Sequence, residues 1–351
     1  MKGTLVIVLI CVGALITFNV LWASAESSSD PHTSNLIVEE YKLIPAKKMH
    51  EEALDTGDHA GIPDSVLKKR SKWRTHQYPT EPTDSQIVDE INKSIAHLGY
   101  KLIINKENKY YSLYKDNKLL MRNLHEISSI SMNESKTRFF FSTRLYNDMK
   151  PEDLLALFID GAFAFLQWND PHPIGFLKDN MLKLKPLPNK VINNKDSFLE
   201  YECYELYLDD TKIYDFCGLA SPRAVIQSLF IQNNHWILEY LKADETDTTN
   251  KRIPSHSHVI IDGKDLNKAI GATDIFNYFH LKGKPFYFFR DNKGKTRIFY
   301  AGANLDYTYD SVMHYQCCSS SVYNPEIFES IISFYAFKNG YLYYIEAGIY
   351  E

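Results

Sequence analysis

Short aromatic and β-branched segments, joined in pairs by Asp- or Asn-containing turns, recur along this sequence from residue 100 to its end. The predicted turns are Asp116-Asn117, Asp160-Gly161, Asp209-Asp210, Asp262-Gly263, Asp291 to Gly294 and Asn339-Gly340. Asp-Gly and Asn-Gly tolerate positive φ at both central positions of a turn, so they are strong hairpin signals. Successive turns lie about 40 to 50 residues apart, which is the spacing of propeller blades. The sequence therefore predicts an all-β fold, a propeller-like array of about six three- to four-stranded antiparallel units.

One segment of this array fits two interpretations. Pro151 followed by two acidic residues resembles the first turn of a helix. However, Asp160-Gly161 lies midway between two apolar runs of similar length, at 154–159 and 162–168. We therefore interpret the segment as a hairpin.

A single helix is predicted ahead of the repeats. Thr83 and Gln86 fit a capping box, in which each side chain satisfies a free backbone donor. Apolar residues then recur on one helical stripe up to Leu98, and Gly99 ends it. We expect helix 84–98 to pack against a sheet as part of a propeller-like domain over 83–351. Residues 26–82 are polar without a sustained period and are expected to form a linker.

The first 25 residues carry the parts of an export signal. Lys2 precedes an uncharged apolar run from Thr4 to Trp22, and Ala23-Ser24-Ala25 supplies a small-x-small end. Because the apolar run is also about long enough to span a bilayer, an uncleaved membrane anchor remains the alternative. Cys11 lacks the small residue that normally precedes a lipidated cysteine. Both interpretations place the body outside the cytoplasm, either secreted or anchored by its N-terminal segment.

The charge distribution argues against a nucleic-acid partner. The formal net charge is −5, from 39 Lys and Arg against 44 Asp and Glu. A phosphate-binding surface needs clustered Lys and Arg, and the most basic stretch, 68–74, is short and lies in the predicted linker.

Four cysteines follow the export signal, and an even count in an exported chain favours disulfides. Cys203 and Cys217 flank the Asp209-Asp210 turn and would face each other across a hairpin, unless the register shifts by one residue. Cys317 and Cys318 are adjacent, so they would form a vicinal disulfide facing a ligand or bridge to the first pair. A zinc site is disfavoured because paired thiolates normally need a spacer of two to four residues.

Histidines provide the remaining candidates for chemistry. His256 and His258 would share a strand face ahead of Asp262, but no third ligand follows at a known spacing, so we expect no metal and no cofactor. His235 and Glu239 would share a strand face about 13 Å apart, too far for direct contact. No nucleophile elbow, P-loop or His-Glu-x-x-His motif is present, so no catalytic residue is assigned. A pair of carboxylates that cleaves glycosides is compatible with the sequence, because the spacing of such a pair is set in space rather than along the chain.

Two patterns in the sequence resemble known groups. Asn292 to Gly302 and Lys338 to Ile345 resemble the WG repeats of bacterial β-repeat proteins, with Tyr341-Leu342 in place of the Trp-Gly pair. The region 61–350 is similar to a group of exported, uncharacterised bacterial proteins through the patches 235–239, 283–289 and 314–318. The resemblance implies a β-repeat architecture and an extracytoplasmic address, and it implies no activity.

These observations favour a non-catalytic binding or scaffold protein of the cell envelope or extracellular space, with a protein or glycan as its ligand. The residues expected to face that ligand are His235, Trp236, His314, Tyr315, Cys317 and Cys318. The alternative is an extracytoplasmic hydrolase acting on a glycan or peptide, with Glu239, His258 or His314 in its site.

Overall fold

The computed structural model describes residues 36–46, 84–105, 107, 110–125, 127, 130–147, 150–165, 170–188, 190–194, 197–220, 225–243, 255–314, 323–327 and 330–349. The chain divides into two compact units. One, called here the terminal unit, is formed by residues 1–71 and 267–351. The other, the middle unit, is formed by residues 72–266.

The elements follow one another in chain order as β1 (Leu36–Pro45), α1 (Asp84–Ile95), a 3-10 turn (Ala96–Leu98), β2 (Tyr100–Ile104), β3 (Tyr111–Lys115), β4 (Lys118–His125), β5 (Ser131–Met132), β6 (Phe139–Asn147), β7 (Lys150–Ile159), β8 (Ala162–Phe165), β9 (His172–Leu177), β10 (Asn180–Pro186), β11 (Lys190–Asn194), β12 (Ser197–Leu208), β13 (Thr211–Ala220), β14 (Ile226–Gln232), β15 (His235–Ala243), β16 (Ser255–Ile261), β17 (Lys264–Asp265), α2 (Leu266–Ile270), β18 (Asp274–Leu281), β19 (Lys284–Arg290), β20 (Thr296–Tyr300), β21 (Ala303–Tyr309), β22 (Ser311–Val312), β23 (Glu326–Ile327), β24 (Ile331–Lys338) and β25 (Tyr341–Ile349).

The predicted fold class is confirmed: the chain is all-β and its strands form a propeller-like series of antiparallel repeats. The described strands make five antiparallel sheets of four to seven strands. The seven-stranded sheet holds two repeats, β2–β4 and β6–β8, which are joined by pairing of β4 with β6. The other four sheets hold one repeat each, built around β9–β13, β14–β17, β18–β21 and β22–β25.

Hairpin turns with positive φ define these repeats. Both central residues have positive φ at Asp116-Asn117, Asp160-Gly161, Asp262-Gly263 and Asn339-Gly340, as the sequence predicts. The same geometry occurs at Asn233-Asn234, Lys282-Gly283 and Ala301-Gly302, which were not predicted as turns. The segment with two interpretations is a hairpin, since 150–159 form β7 and 162–165 form β8.

The predicted helix is present as α1 and the 3-10 turn, and Gly99 ends it with φ 79°. Its apolar stripe packs on the first two repeats, where Ile95, Tyr100 and Phe158 lie in one buried cluster. On the polar side of this contact, the Asn92 side chain donates to the Leu102 carbonyl at 2.8 Å and accepts from the Leu102 N–H at 2.7 Å. The helix thus satisfies both backbone groups of Leu102 on the edge of β2 that does not pair with β3.

Strand β1 corrects the prediction of a polar linker for part of its length. Residues 36–45 form a ten-residue strand that pairs with β25, so the beginning of the chain completes the last repeat. The ammonium of Lys338 fixes this strand through Glu40 at 2.7 Å. Three acidic or basic residues between its apolar ones hide the strand period in the sequence. The other predicted linker residues, 26–35 and 47–82, lie outside the described part of the chain.

The disulfide predicted between Cys203 and Cys217 is confirmed, with the two Cα atoms 4.1 Å apart. The turn between β12 and β13 contains Asp209 and Asp210 alone, which by itself would offset the cysteines by one residue. A bulge between Leu206 and Tyr207 restores the alignment, so that Cys203 lies directly opposite Cys217.

Residues 1–25, the predicted signal or anchor, lie outside the described residues. In the described ranges there is no helix with the length and apolar character needed to cross a bilayer.

Candidate functional site

A network of turns in the middle unit is centred on Arg138. Its Nε donates to Oδ2 of Asp160 at 2.9 Å, and its Nη1 donates to the Asp179 carbonyl at 3.2 Å and to Oδ1 of Asp209 at 3.4 Å. These three acidic residues lie in or beside the hairpin turns β7–β8, β9–β10 and β12–β13. One guanidinium therefore joins three hairpin turns that belong to two successive repeats.

Asn133 fixes the loop from which Arg138 projects. Its Oδ1 accepts the backbone N–H groups of Thr137 and Arg138, at 2.9 and 2.8 Å. Its amide nitrogen donates to Oδ1 of Asp179 at 2.8 Å, which ties the loop to the β9–β10 turn. Asn133 itself is 3% exposed, so a buried side chain anchors this exposed loop and sets the position of the Arg138 backbone.

An open groove of about 370 Å³ lies beside this network. Its walls are formed by Leu98, Tyr100, Lys115, Thr137, Arg138, Phe139 and Asp160. Tyr100 is held edge-on by Phe139 and Phe158, at centroid distances of 5.1 and 5.7 Å. The ammonium of Lys115 lies 4.8 Å from the centre of the Tyr100 ring. A second groove, of about 390 Å³, lies on the other side of Tyr100 beside Asn92 and Asp116.

Hydrogen bonds within the network shift the pKa values of its charged side chains. The hydrogen bond to Asp160 raises the pKa of Arg138, so the guanidinium is always charged. Hydrogen bonds from Ser135 hold the pKa of Asp179 below its usual value. Two groups at the groove nevertheless keep open hydrogen-bonding positions: among the described residues, neither Nη2 of Arg138 nor Oδ1 of Asp160 has a hydrogen-bond partner.

A second group of titratable side chains lies in the same unit, between the β9–β13 and β14–β17 sheets. Nδ1 of His258 is 3.2 Å from Oδ2 of Asp265, and the two side chains are 15% and 17% exposed. The ring of Tyr240 lies 6.0 Å from that of His258, and its hydroxyl shares a hydrogen bond with Tyr214. Burial lowers the pKa of His258, against the opposing effect of the Asp265 carboxylate. Burial also raises the pKa of Tyr240. The group therefore holds a neutral imidazole, a carboxylate and two phenols, which is a set suited to proton transfer.

The residues predicted to face a ligand do not form one site in the described structure. His235 is exposed and contacts the carboxylate of Asp262 at the β16–β17 turn of its own sheet, whereas Trp236 is 4% exposed and belongs to the apolar core. His314, in the terminal unit, stacks on Phe276 with centroids 3.7 Å apart. Tyr315, Cys317 and Cys318 lie outside the described residues.

The other histidine and carboxylate candidates are also separated. Glu239 is 2% exposed and accepts a hydrogen bond from Ser257 at 3.1 Å. His258 contacts Asp265 and not Asp262. Over the described ranges, no three His, Cys, Asp or Glu side chains are placed to hold a metal ion.

The Arg138 groove was missed by sequence analysis. Its turn, Asp160-Gly161, was predicted, but Arg138 precedes Asp160 by 22 residues and Asp209 by 71. No local pattern joins residues at such separations. The usable signal was the Asn133 loop, because an Asn-x-Ser-x-Thr run before a strand is rich in residues that hydrogen-bond turn backbone.

Comparisons with known proteins show no family. No family model matches the chain, and no curated protein matches it. The β-propeller domain of the Trilobed protease from Pyrococcus furiosus has 11% identity and a TM-score of 0.31, over 72% of this chain and 77% of that one. The mannose phosphorylase MPT-4 from Leishmania mexicana has 10% identity and a TM-score of 0.25, over 81% and 92%. At such TM-scores neither likeness bears on the fold or the function of this chain.

Proposed function

We propose that this chain is an exported, non-catalytic binding protein of the cell envelope or extracellular space, with its ligand held in the Arg138 groove. The observation that carries the proposal is the groove itself, in which charged side chains with open hydrogen-bonding positions are held by neighbouring turns and by the buried Asn133 side chain. Its volume of about 370 Å³ lies in the range of small-ligand sites.

The fixed position of Arg138 supports binding at this groove. A ligand pays an entropic cost for every side chain that it must order, and this cost is reduced where the side chain is already held. Arg138 is held through Nε, Nη1 and its own backbone N–H before any ligand arrives. Turns on a rigid sheet framework are also where proteins commonly place recognition residues.

The extracytoplasmic address rests on separate support. The signal-like residues 1–25 and the resemblance to exported β-repeat proteins both favour export. The Cys203–Cys217 bond adds to this support, because disulfides persist mainly in oxidising compartments.

Two measurements test this proposal. The full chain with a C-terminal tag is expressed in a cell with an export pathway, fractionated, and its mature N-terminus sequenced. We expect the protein outside the cytoplasm, beginning at Glu26 if the signal is cleaved and at Met1 if it is an anchor. A cytoplasmic location would overturn the address.

The second measurement addresses binding. Isolated envelope material is incubated with the full chain and with Asp160→Asn, Lys115→Ala and Asp210→Asn variants. We expect retention to fall for the first two variants and to persist for the third, because Asp210 lies at a neighbouring turn outside the groove and pairs with Lys183. Equal retention of all four proteins would exclude the groove as the binding site.

A second candidate function, an extracytoplasmic hydrolase of glycans or peptides, is favoured by the His258–Asp265 pair. A partly buried imidazole beside a carboxylate is the usual arrangement of a general base. The test is hydrolysis of glycan and peptide panels by the full chain and by His258→Gln. Turnover lost in the variant would establish this function in place of the first, and absence of turnover would exclude it.

A further inference from the structure

We propose that the Arg138 groove binds a neutral saccharide through two neighbouring hydroxyl groups, one held by Arg138 and the other by Asp160. This inference rests on the proposed binding function and specifies its ligand class. It follows from three features of the groove, namely its free donors and acceptors, its charge balance and the apolar surface that Leu98 provides.

The free donor and the free acceptor lie on two side chains that are bonded to each other. Asp160 Oδ2 is occupied by the Arg138 Nε at 2.9 Å, which leaves Oδ1 as an acceptor. Arg138 Nη1 is occupied by Asp179 and Asp209, which leaves the two hydrogens of Nη2 as donors within the described structure. A sugar hydroxyl both donates and accepts, so one of two adjacent hydroxyls can accept from Nη2 while the other donates to Oδ1. Both hydrogen bonds involve a charged protein group and are of the stronger kind.

The charge balance disfavours an anionic ligand. Lys115 and Arg138 contribute two positive charges at the groove, and the carboxylates of Asp160 and Asp209 that contact Arg138 contribute two negative ones. A carboxylate or phosphate placed on Nη2 would lie beside the Asp160 carboxylate and be repelled by it. A neutral polyol meets no such repulsion.

The walls suit a ligand with apolar as well as polar faces. Leu98 is partly exposed and provides carbon surface against which the C–H groups of a sugar ring can pack, whereas Tyr100 and Phe139 are 6% and 1% exposed and lie beneath the groove. Lys115 is fixed over the Tyr100 ring, where its ammonium provides a third donor at the rim. A simple ion would leave these surfaces uncovered.

The experiment is calorimetric titration of the full chain with three neutral trisaccharides, cellotriose, chitotriose and mannotriose, and with the acidic trigalacturonate. We expect at least one neutral trisaccharide to bind and trigalacturonate to bind at least tenfold more weakly. Asp160→Asn should weaken the neutral ligand at least tenfold, because the amide keeps its oxygen on Arg138 and turns an N–H donor toward the ligand. Asparagine also tolerates the φ of 46° at this turn, so the variant retains its fold.

Two further variants complete the design. Lys115→Ala should weaken binding severalfold without touching the turn network, since the Lys115 ammonium lies over the Tyr100 ring and its side chain makes no hydrogen bond or ion pair among the described residues. Asp210→Asn makes the same chemical change at a neighbouring turn and should bind as the wild type does. Thermal unfolding of each variant confirms that differences in affinity do not arise from unfolding.

Each remaining outcome contradicts the inference in a distinct way. If trigalacturonate binds more tightly than the neutral trisaccharides, and Lys115→Ala weakens this binding, the ligand is an acidic saccharide. The proposed binding function would then stand and the inference of a neutral ligand would be wrong. Saccharide binding that is unchanged in the Asp160→Asn variant would show that the sugar binds outside the Arg138 groove. If no trisaccharide binds but envelope retention still depends on Asp160, the groove binds a ligand of another class; if retention is also independent of Asp160, the proposed function fails with the inference.

Discussion

Removal of the Cys203–Cys217 disulfide should destabilise the β9–β13 sheet by about 3 kcal/mol. The two cysteines are 14 residues apart, and closing a loop of that length in the unfolded chain lowers its entropy by the equivalent of about 3 kcal/mol at 25 °C. Substitution by alanine adds less than about 1 kcal/mol from lost burial, because Cys217 is exposed in the fold and Cys203 offers a single sulfur. Chain entropy therefore supplies most of the expected effect.

The measurement is urea unfolding of the oxidised full chain and of the C203A/C217A variant. Because the chain has two compact units, the transition is followed by hydrogen exchange of the β12 and β13 amides rather than by one global signal. The single variant Cys217→Ala keeps the buried Cys203 and breaks the same bond, so the entropic account predicts nearly the same loss for both. A loss below about 1 kcal/mol, or a loss confined to the double variant, would refute the reasoning.

Three other predictions follow from local geometry. Gly161→Ala should lower the unfolding temperature more than Gly263→Ala. Both glycines have positive φ, so alanine costs about 1–2 kcal/mol at either position. A Cβ at Gly161 would also lie 2.9 Å from a tyrosine hydroxyl, whereas a Cβ at Gly263 would lie no closer than 3.9 Å to any atom. Burial lowers the pKa of His258 below 6.5, so the unfolded chain binds the proton more readily; stability should fall as the pH drops through about 6.5, and urea titrations from pH 7.5 to 5 should show a smaller fall in His258→Gln. Lys338→Met removes the partner of a half-buried carboxylate on β1 and should cost about 1 kcal/mol, measured as roughly fivefold faster amide exchange in 36–45, with unchanged exchange in β18–β21 as its control.

The repeats could be predicted from sequence because their turns are local. Asp-Gly or Asn-Gly determines the sign of φ within two residues, and no distant contact is needed to place the hairpin. The same holds for the end of α1 at Gly99. The turns Lys282-Gly283 and Ala301-Gly302 were not predicted, because lysine and alanine do not favour positive φ. At these two turns the pairing of the strands on both sides imposes the positive φ.

Strand β1 and the bulge in β13 could not be predicted because both depend on partners outside the local sequence. β1 is defined by its pairing with β25, about 300 residues away, and its own apolar residues do not alternate cleanly. The bulge at Ile213, opposite the Leu206–Tyr207 step, changes which residues face each other without any signal in composition. The disulfide was therefore predictable as a pairing, while the register that allows it was not.

The hairpin acids connect the predictable part of the fold to the candidate site. Asp209 and Asp262 each accept a backbone N–H, from Met181 at 3.0 Å and from Trp236 at 3.1 Å, so part of each carboxylate stabilises a turn. Asp160 makes no such bond within the described structure and uses one oxygen on Arg138 instead. Asp160 therefore lacks the structural role of the other turn acids and keeps one oxygen open toward the groove. A repeat fold can acquire a ligand at such a position without loss of stability. We therefore expect Asp160→Asn to impair binding more than folding, whereas Asp209→Ala, which removes a backbone partner, should impair folding first.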